Sequence, residues 1–389
     1  MLNLKVVGAG AAGNKAAIAL IEKGFNKENV TLINSTSKDL PDEYKDNAII
    51  FGANPSSLGG CGKERDIGKK LIIEDMKNGV IAIDNIVDPN TNAVIIVSST
   101  EGGSGSAATP VLAKYIKEVL GIQVIVVLLF GFNTDVRGMQ NSIEICQELQ
   151  DSYGVIGISN AKFLDRANKN TIKAEKMANE QFVRMVEVLA GKDITPGQQN
   201  IDDTDLFKLV TTPGYMMIEE ASISKIKNID QYNTIITGAI DDSTLVDCSI
   251  KGAKRIGIIY NIADNIADNI DYSATVITDE YGTPYEMFTH VQTVDKAFVT
   301  WIVTGLPMPI NELKEIYDNY LKSSESVNKK KDAFFDTVMD MQGNAEDGMF
   351  NMLDNDKKTV SKAAFFADFG VGPGKKDKAT TKKTSAEEY

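Results

Sequence analysis

Histidine occurs once in this chain, at His290, which nearly excludes a histidine-based catalytic triad or a histidine-rich metal site. The three cysteines, Cys61, Cys146 and Cys248, are too few and too far apart for a disulfide framework or a four-ligand zinc site, and none forms CxxC. Such sparing use fits a reducing cytosol. No run approaches the ~18 to 20 apolar residues of a membrane span. The N-terminal MLNLKVVGAGAAG reaches its glycines too soon to be a signal h-region. Positive charge is also in deficit: the formal net charge is −13, so the averaged surface repels the phosphates of DNA and of anionic lipid. Neither direct sequence-specific DNA binding nor membrane association is expected.

What is present is ordinary globular material, with 43% apolar and 24% charged residues. At about 100 to 200 residues per domain, 389 residues favour two domains with chain to spare. Short β-branched runs alternate with helix-length segments through the first half, the pattern of a parallel sheet covered on both faces. Strands are expected at Leu4 to Val7, Val30 to Ile33, Ala48 to Phe51, Ala93 to Val97, Gln123 to Phe130 and Val155 to Ile158. Helices are expected at Gly13 to Lys23, Asp66 to Asn78, Ala107 to Leu120 and Asn141 to Asp151. The fold class is therefore α/β, with a doubly wound nucleotide-binding domain whose ligand site lies at the carboxyl ends of the strands.

A long amphipathic segment, Ile172 to Gly191, reads as a central helix. Beyond it, Tyr232 to Ala239, Arg255 to Tyr260, Ser273 to Thr278 and Lys296 to Thr304 read as strands of a second, smaller α+β domain, and Ile310 to Leu321 as a helix. Trp301 falls in an apolar strand and should be core, and His290 reads as structural. The end, GPGKKDKATTKKTSAEEY, has the composition of a disordered tail with a basic cluster at Lys375, Lys376, Lys378, Lys382 and Lys383.

Three motifs carry chemistry. Gly8-Ala9-Gly10-Ala11-Ala12-Gly13 is GxGxxG between a strand and a helix, where backbone N–H groups and the helix start can approach a phosphate. A tight strand-to-helix turn without ligand is the plainer reading. A dinucleotide enzyme would place an acidic residue after the second strand, where this chain has Asn34-Ser35-Thr36, and that weighs against a dehydrogenase. The second motif, Ser98 to Ala107 (SSTEGGSGSA), opens another helix and offers a second anion nest at the same sheet edge. It is not a Walker A loop, since no GKS or GKT follows. The third, Gly197 to Asp205 (GQQNIDDTD), holds three carboxylates and an amide within six residues. These side chains suit the cap of the next helix, and equally suit orienting water or a cation.

In this order the motifs resemble the tubulin/FtsZ superfamily of GTP-driven filament proteins. GAGAAGN, NSTSKDL, GCGKERDIG, TEGGSGSAATP, FNTDVRG and ISNAKF precede the long helix, and GQQNIDDTD follows it, matching GxxNxDxxD in full. The resemblance implies GTP or GDP with Mg2+ as ligands. Gly8, Gly10, Ala11, Gly13 and Asn14 would hold phosphates from the first loop, and Gly60, Gly62 and Gly68 would belong to the γ-phosphate-sensing loop. Gly102, Gly103, Ser104, Gly105 and Ser106 would cradle the α- and β-phosphates. Arg137 falls at a ribose-side or phosphate-side arginine position, Asn133 where FtsZ proteins carry a ribose-contacting glutamate, and Asn160 and Asn179 where asparagines read the guanine edge. Asn200, Asp202 and Asp205 would form the catalytic synergy loop, inserted into the next subunit of a filament.

Three departures mark a divergent branch: Glu101 stands at a signature glycine, Ala107 at the last one, and Asn133 at the ribose-contacting glutamate. The implied division is 1–168 for GTP binding, 169–205 for central helix and synergy loop, 206–325 for a second, activation domain, and 326–389 for a helical extension and flexible basic tail. That tail is similar to the TubZ group, in which filaments segregate plasmid or phage DNA through a DNA-bound adaptor. A bacterial cytoplasmic partition GTPase is thus the leading expectation. A cell-division FtsZ, a non-hydrolysing tubulin-like scaffold and a Rossmann NAD-dependent oxidoreductase are the alternatives.

Overall fold

The computed structural model describes residues 1–45, 48–53, 59–323 and 359–369. Its first half alternates as expected. The elements run β1 (Leu4–Ala9), α1 (Gly10–Glu22), β2 (Val30–Asn34), α2 (Asp42–Lys45), β3 (Ile49–Ile50), α3 (Arg65–Lys77), β4 (Ala93–Ser99), α4 (Gly105–Glu118), β5 (Gln123–Phe130), α5 (Val136–Leu149) and β6 (Gly154–Ser159). Strands β1 and β4 to β6 are buried along nearly their whole length, as strands covered on both faces must be. Then come α6 (Asn160–Arg166), the long α7 (Thr171–Leu189), α8 (Asp203–Val210), β7 (Gly214–Ser222), α9 (Ile229–Asp241), β8 (Arg255–Ile262), α10 (Thr275–Tyr281), β9 (Glu286–Thr293), β10 (Phe298–Leu306) and α11 (Ile310–Ser323).

The ten strands of the described residues form one sheet in the order β3-β2-β1-β4-β5-β6-β7-β10-β8-β9. The first six are mutually parallel. The chain winds outward from β1 to β3, then returns to β4 on the other side of β1, so the switch point lies between β1 and β4. The later strands are mixed, with β10 antiparallel to both β7 and β8, and β8 parallel to β9. They join the first group through only two residue pairs, Gly154 with Gly214 and Val155 with Tyr215.

Two expected strands are helices. Tyr232 to Ala239 lies in α9: its β-branched run invites extension, but Tyr232 and Ile236 are buried four apart, and the Asn228 side chain caps the helix by accepting the Gln231 N–H at 2.9 Å. Ser273 to Thr278 enters α10, where Asp271 gathers the Ser273 and Thr275 N–H groups and Ile277 and Tyr281 form the buried stripe. Strands β7 and β9 were not expected as such. Trp301 is fully buried in β10, as anticipated. The lysine cluster from Lys375 to Lys383 lies outside the described residues. A last helix, α12 (Lys362–Asp368), returns to α4, where Phe365 is buried edge-on against Tyr115 (5.1 Å) and Lys114 pairs with Asp368 at 2.8 Å. Among the described residues no helix is long and apolar enough to cross a membrane.

Candidate functional site

The first glycine loop and the signature loop leave β1 and β4, the strands flanking the switch point, at their carboxyl ends. They touch backbone to backbone. A Cβ on Gly10, whose φ is +74°, would lie 2.8 Å from the Cα and N of Gly105, and one on Gly105 would lie 2.4 Å from the Ala9 carbonyl oxygen. Only glycines allow this approach, which sets the starts of α1 and α4 side by side with their N–H groups unspent. Two adjacent helix starts make an anion site of polyphosphate size. Gly8 and Gly13 serve packing, since a Cβ on Gly13 would come 2.1 Å from the Val97 carbonyl oxygen. Asn14 is buried and turns its amide to β2, accepting from the Ile33 N–H and donating to the Ile33 carbonyl, both at 3.3 Å.

The third glycine loop closes over the signature loop. Cβ atoms on Gly68 and Gly103 would collide with Gly103 O and with the Lys63 and Glu64 backbone, whereas those on Gly60, Gly62 and Gly102 would meet nothing within 4 Å among the described residues. Ser104 and Ser35 share a hydroxyl contact of 2.5 Å, and Ser106 donates to the Gly102 carbonyl. Cys61 is buried beneath this loop as a packing residue.

Two residues that sequence reasoning missed tie the loops together. Arg65, only 1% exposed, pairs with Glu144 (2.8 Å) and Glu148 (2.9 Å) on α5 and donates to the Ser106 carbonyl at 3.2 Å. That carbonyl is free because Pro110, four residues on within α4, has no N–H to offer it. The proline was the available signal. Asn141, fully buried, donates to the carbonyls of Lys63 and Glu101, each at 3.0 Å.

On the other side of the cradle Asn133 adopts a left-handed φ of +55° and gives its N–H to Glu101 Oε1 at 3.3 Å. The Glu101 carboxylate lies against the Cα of Gly131, in a slot that Gly131 and Gly138 leave open. Burial raises its pKa above the ordinary carboxyl value, and the Asn133 N–H offsets part of that. Arg137 pairs with Glu64 at 2.8 Å, and Asp135, the cap of α5, pairs with Lys63 at 2.6 Å, so two ion pairs lace the loop between β5 and α5 to the third glycine loop. Asn160 donates to the Phe130 carbonyl at 2.9 Å while its Oδ1 is buried without a partner among the described residues, the kind of orphan acceptor a base edge would satisfy. Asn179 is half-buried on α7.

The carboxylate loop is elsewhere. The Met1 amino group pairs with Asp203 at 2.9 Å and the Leu2 N–H bonds the Ala190 carbonyl, which places the end of α7 and the start of α8 beside the amino end of β1. The cradle is at the other end of that strand, about 20 Å away for six residues. Asp202 caps α8, its Oδ1 accepting the Asp205 N–H at 2.8 Å, and the Asn200 amide both donates to and accepts from Gly197. The structure thus gathers the glycine loops, Asn133, Arg137 and Asn160 at one edge and leaves Asn200, Asp202 and Asp205 at the opposite one.

Residues 3–168 match the profile of the Tubulin/FtsZ family, GTPase domain. Residues 3–168 are thus similar to the GTPase domain of that family, as the motif order indicated. The cell division protein FtsZ of Mycoplasmopsis pulmonis (strain UAB CTIP) is 25% identical over 337 residues, covering 83% of each chain. Among solved structures, CetZ2 from Haloferax volcanii, a GTPγS-bound protofilament, superposes with a TM-score of 0.65 at 18% identity, over 82% of this chain and all of the other. A GTPγS-form protofilament of Bacillus thuringiensis serovar israelensis TubZ also gives 0.65, at 16% identity, over 88% and 94%. The likeness in fold therefore extends beyond residue 168 into the second group of strands.

Proposed function

We propose that this protein is a GTPase that assembles head to tail into tubulin-like filaments, each active site being completed by the next subunit. One observation carries the reading: the phosphate cradle and the carboxylate loop lie at opposite edges of one sheet, so a single chain cannot bring them together. A repeating contact that joins unlike faces is open-ended and makes a filament. GTP would sit with its phosphates between the starts of α1 and α4 and its base toward Asn160 and Asn179. Magnesium would arrive on the phosphate oxygens, keeping several waters, and would neutralise charge on the β- and γ-phosphates. Asp202 and Asp205 of the neighbour would orient and polarise the attacking water, because loose phosphoryl transfer asks mainly for positioning and charge stabilisation.

The test is GTP hydrolysis per subunit against protein concentration, with light scattering in parallel. A threshold above which both rise together is expected. A flat, nonzero specific activity would mean a self-contained site and would overturn the shared one.

The cellular role we propose is partition of plasmid or phage DNA in a bacterial cytoplasm, with the lysine-rich C-terminus engaging an acidic face of a DNA-bound adaptor. Two features support it: the local basic cluster on an acidic chain and the likeness in fold to TubZ. Deleting residues 374–389 should abolish recruitment of adaptor-bound DNA without changing GTP turnover, and unchanged recruitment would remove the tail from this role.

A further inference from the structure

The loop that carries Asn200, Asp202 and Asp205 rests on β9, the edge strand of the sheet. The Gln198 N–H donates to the Val291 carbonyl at 2.8 Å, and the Val291 N–H donates to the Gln199 carbonyl at 3.0 Å. Gly197 runs so close that a Cβ there would come 2.2 Å from the Val291 carbonyl oxygen. The two residues flanking Val291 point to the other face of the strand, as alternation requires. They are His290, fully buried, and Gln292, 5% exposed.

Their polar atoms form a closed set beneath the loop. The Ile201 N–H faces His290 Nδ1 at 3.4 Å, and His290 Nε2 lies 3.0 Å from Gln292 Oε1. The same Oε1 accepts the Thr195 N–H at 2.9 Å and the Thr195 hydroxyl, while Gln292 Nε2 donates to the Asp193 carbonyl and to Asn261 Oδ1. These partners fix the proton. Nδ1 meets a donor and must accept; Nε2 meets an amide oxygen, fixed as such by the Thr195 N–H and unable to donate, and must itself donate. The ring is therefore neutral and carries its proton on Nε2. Through it the loop is tied at Thr195 and at Ile201, on either side of Asn200 and one residue before Asp202.

We propose that His290 and Gln292 are positioning residues for hydrolysis, a buried buttress that sets the backbone from which Asn200, Asp202 and Asp205 reach the neighbouring subunit. This rests on the reading of that loop as the hydrolytic half-site. A carboxylate that orients water must be held to a fraction of an ångström, and an edge strand with main-chain bonds to only Gln198 and Gln199 leaves the Ile201 end to the histidine.

Full-length His290→Leu and His290→Asn test it; Asn Oδ1 can stand where Nδ1 stands, and Leu cannot accept. In His290→Leu, GTP affinity and the assembly threshold with a non-hydrolysable GTP analogue should stay within about twofold, while turnover per assembled subunit falls about tenfold, the cost of a sub-ångström misplacement. His290→Asn should recover most of that turnover. An assembling His290→Leu with wild-type turnover, or an Asn variant as slow as Leu, overturns the proposal. The sole histidine also gives a readout independent of any variant: in isotope-labelled wild-type protein at pH 7.5 the imidazole nitrogens should report the neutral Nε2–H tautomer. An Nδ1–H or doubly protonated ring overturns the buttress even if the variants fail to fold. Wild-type protein that binds GTP without ever hydrolysing it would sink the proposed function itself; turnover that is merely insensitive to His290 would sink only the buttress.

Discussion

The two edges of the sheet are built on different principles. At the carboxyl edge, the cradle is backbone pressed on backbone, with Gly10 against Gly105 and Gly68 against Gly103, and with Arg65 and Asn141 buried as ties. At the amino edge, the carboxylate loop is laid along one edge strand and held by a side-chain network through His290 and Gln292. A site that must hold phosphates benefits from donors that cannot relax, since preorganised N–H groups need no rearrangement when charge develops. A loop proposed to meet another subunit has to remain exposed, so its shape is secured from beneath. Substitutions at the first edge should therefore damage binding and folding, and substitutions at the second should damage turnover alone.

The sharpest separation is expected from Asp205→Ala. Hydrolysis per assembled subunit should drop roughly 100- to 1,000-fold, the usual cost of one preorganised electrostatic group, while GTP affinity stays unchanged. Steady-state turnover and equilibrium binding on the same sample check both halves, and Asp202→Ala should behave alike with some added loss from its cap of α8. Normal hydrolysis in either variant would mean that the loop is misassigned.

Arg65→Met should come next, costing about 3 kcal/mol in denaturant unfolding, because Glu144, Glu148 and the Ser106 carbonyl lose their shared partner. The glutamates keep some access to water, which holds the loss below that of a fully buried pair. Unchanged stability would show that Pro110 leaves no carbonyl in need of Arg65.

Gly105→Ala should weaken GTP binding by about tenfold to 100-fold, the equivalent of roughly 1.4 to 2.8 kcal/mol, since its methyl must push the Ala9 carbonyl away. The same change at Gly79, which faces open space far from the loops, should leave binding intact and cost only the strain of its positive φ. Equal binding by both variants would break the claim of a backbone-on-backbone cradle.

The smallest effect concerns the join between the two strand groups. Glu219, on β7, is 8% exposed, and burial pushes its carboxyl up to about 7, with the Ser243 hydroxyl and the charges of Lys162 and Arg166 pulling it partly back. Between the unfolded value of 4.5 and about 7 the folded protein holds a proton that the unfolded chain has released. Stability from this group is thus complete below the unfolded value and lost as pH rises to about 7. Glu219→Gln should remove that slope and gain about 1 to 2 kcal/mol at pH 8 relative to wild type, read from unfolding at pH 5 and pH 8. Identical pH profiles would show that the glutamate is ionised in the folded protein.

The legible part of the fold was the part whose signals are local. Strands β1, β4, β5 and β6 are apolar runs bounded by turn residues, and α7 shows its period over nineteen residues. Misreadings fell where β-branched residues sit on helices that pack only one narrow face, as at Ile235 and Ile236 in α9 and at Thr275 to Ile277 in α10. In the candidate site the glycine loops stood out, whereas Arg65 and Asn141 did not, since each acts on carbonyls or carboxylates about 40 to 80 positions away in the chain.

By itself the sequence determined which segments form loops able to meet a phosphate and which loop carries the carboxylates, because glycine spacing, helix caps and charge act over a few residues. Only the tertiary structure decided where these lie relative to one another. The return of the chain from β3 to β4 across β1 sets two glycine loops side by side, and the length of α7 carries GQQNIDDTD to the far edge of the same sheet. Strand order is settled by pairing between segments distant in sequence, through burial shared by the whole sheet, and no local pattern encodes it.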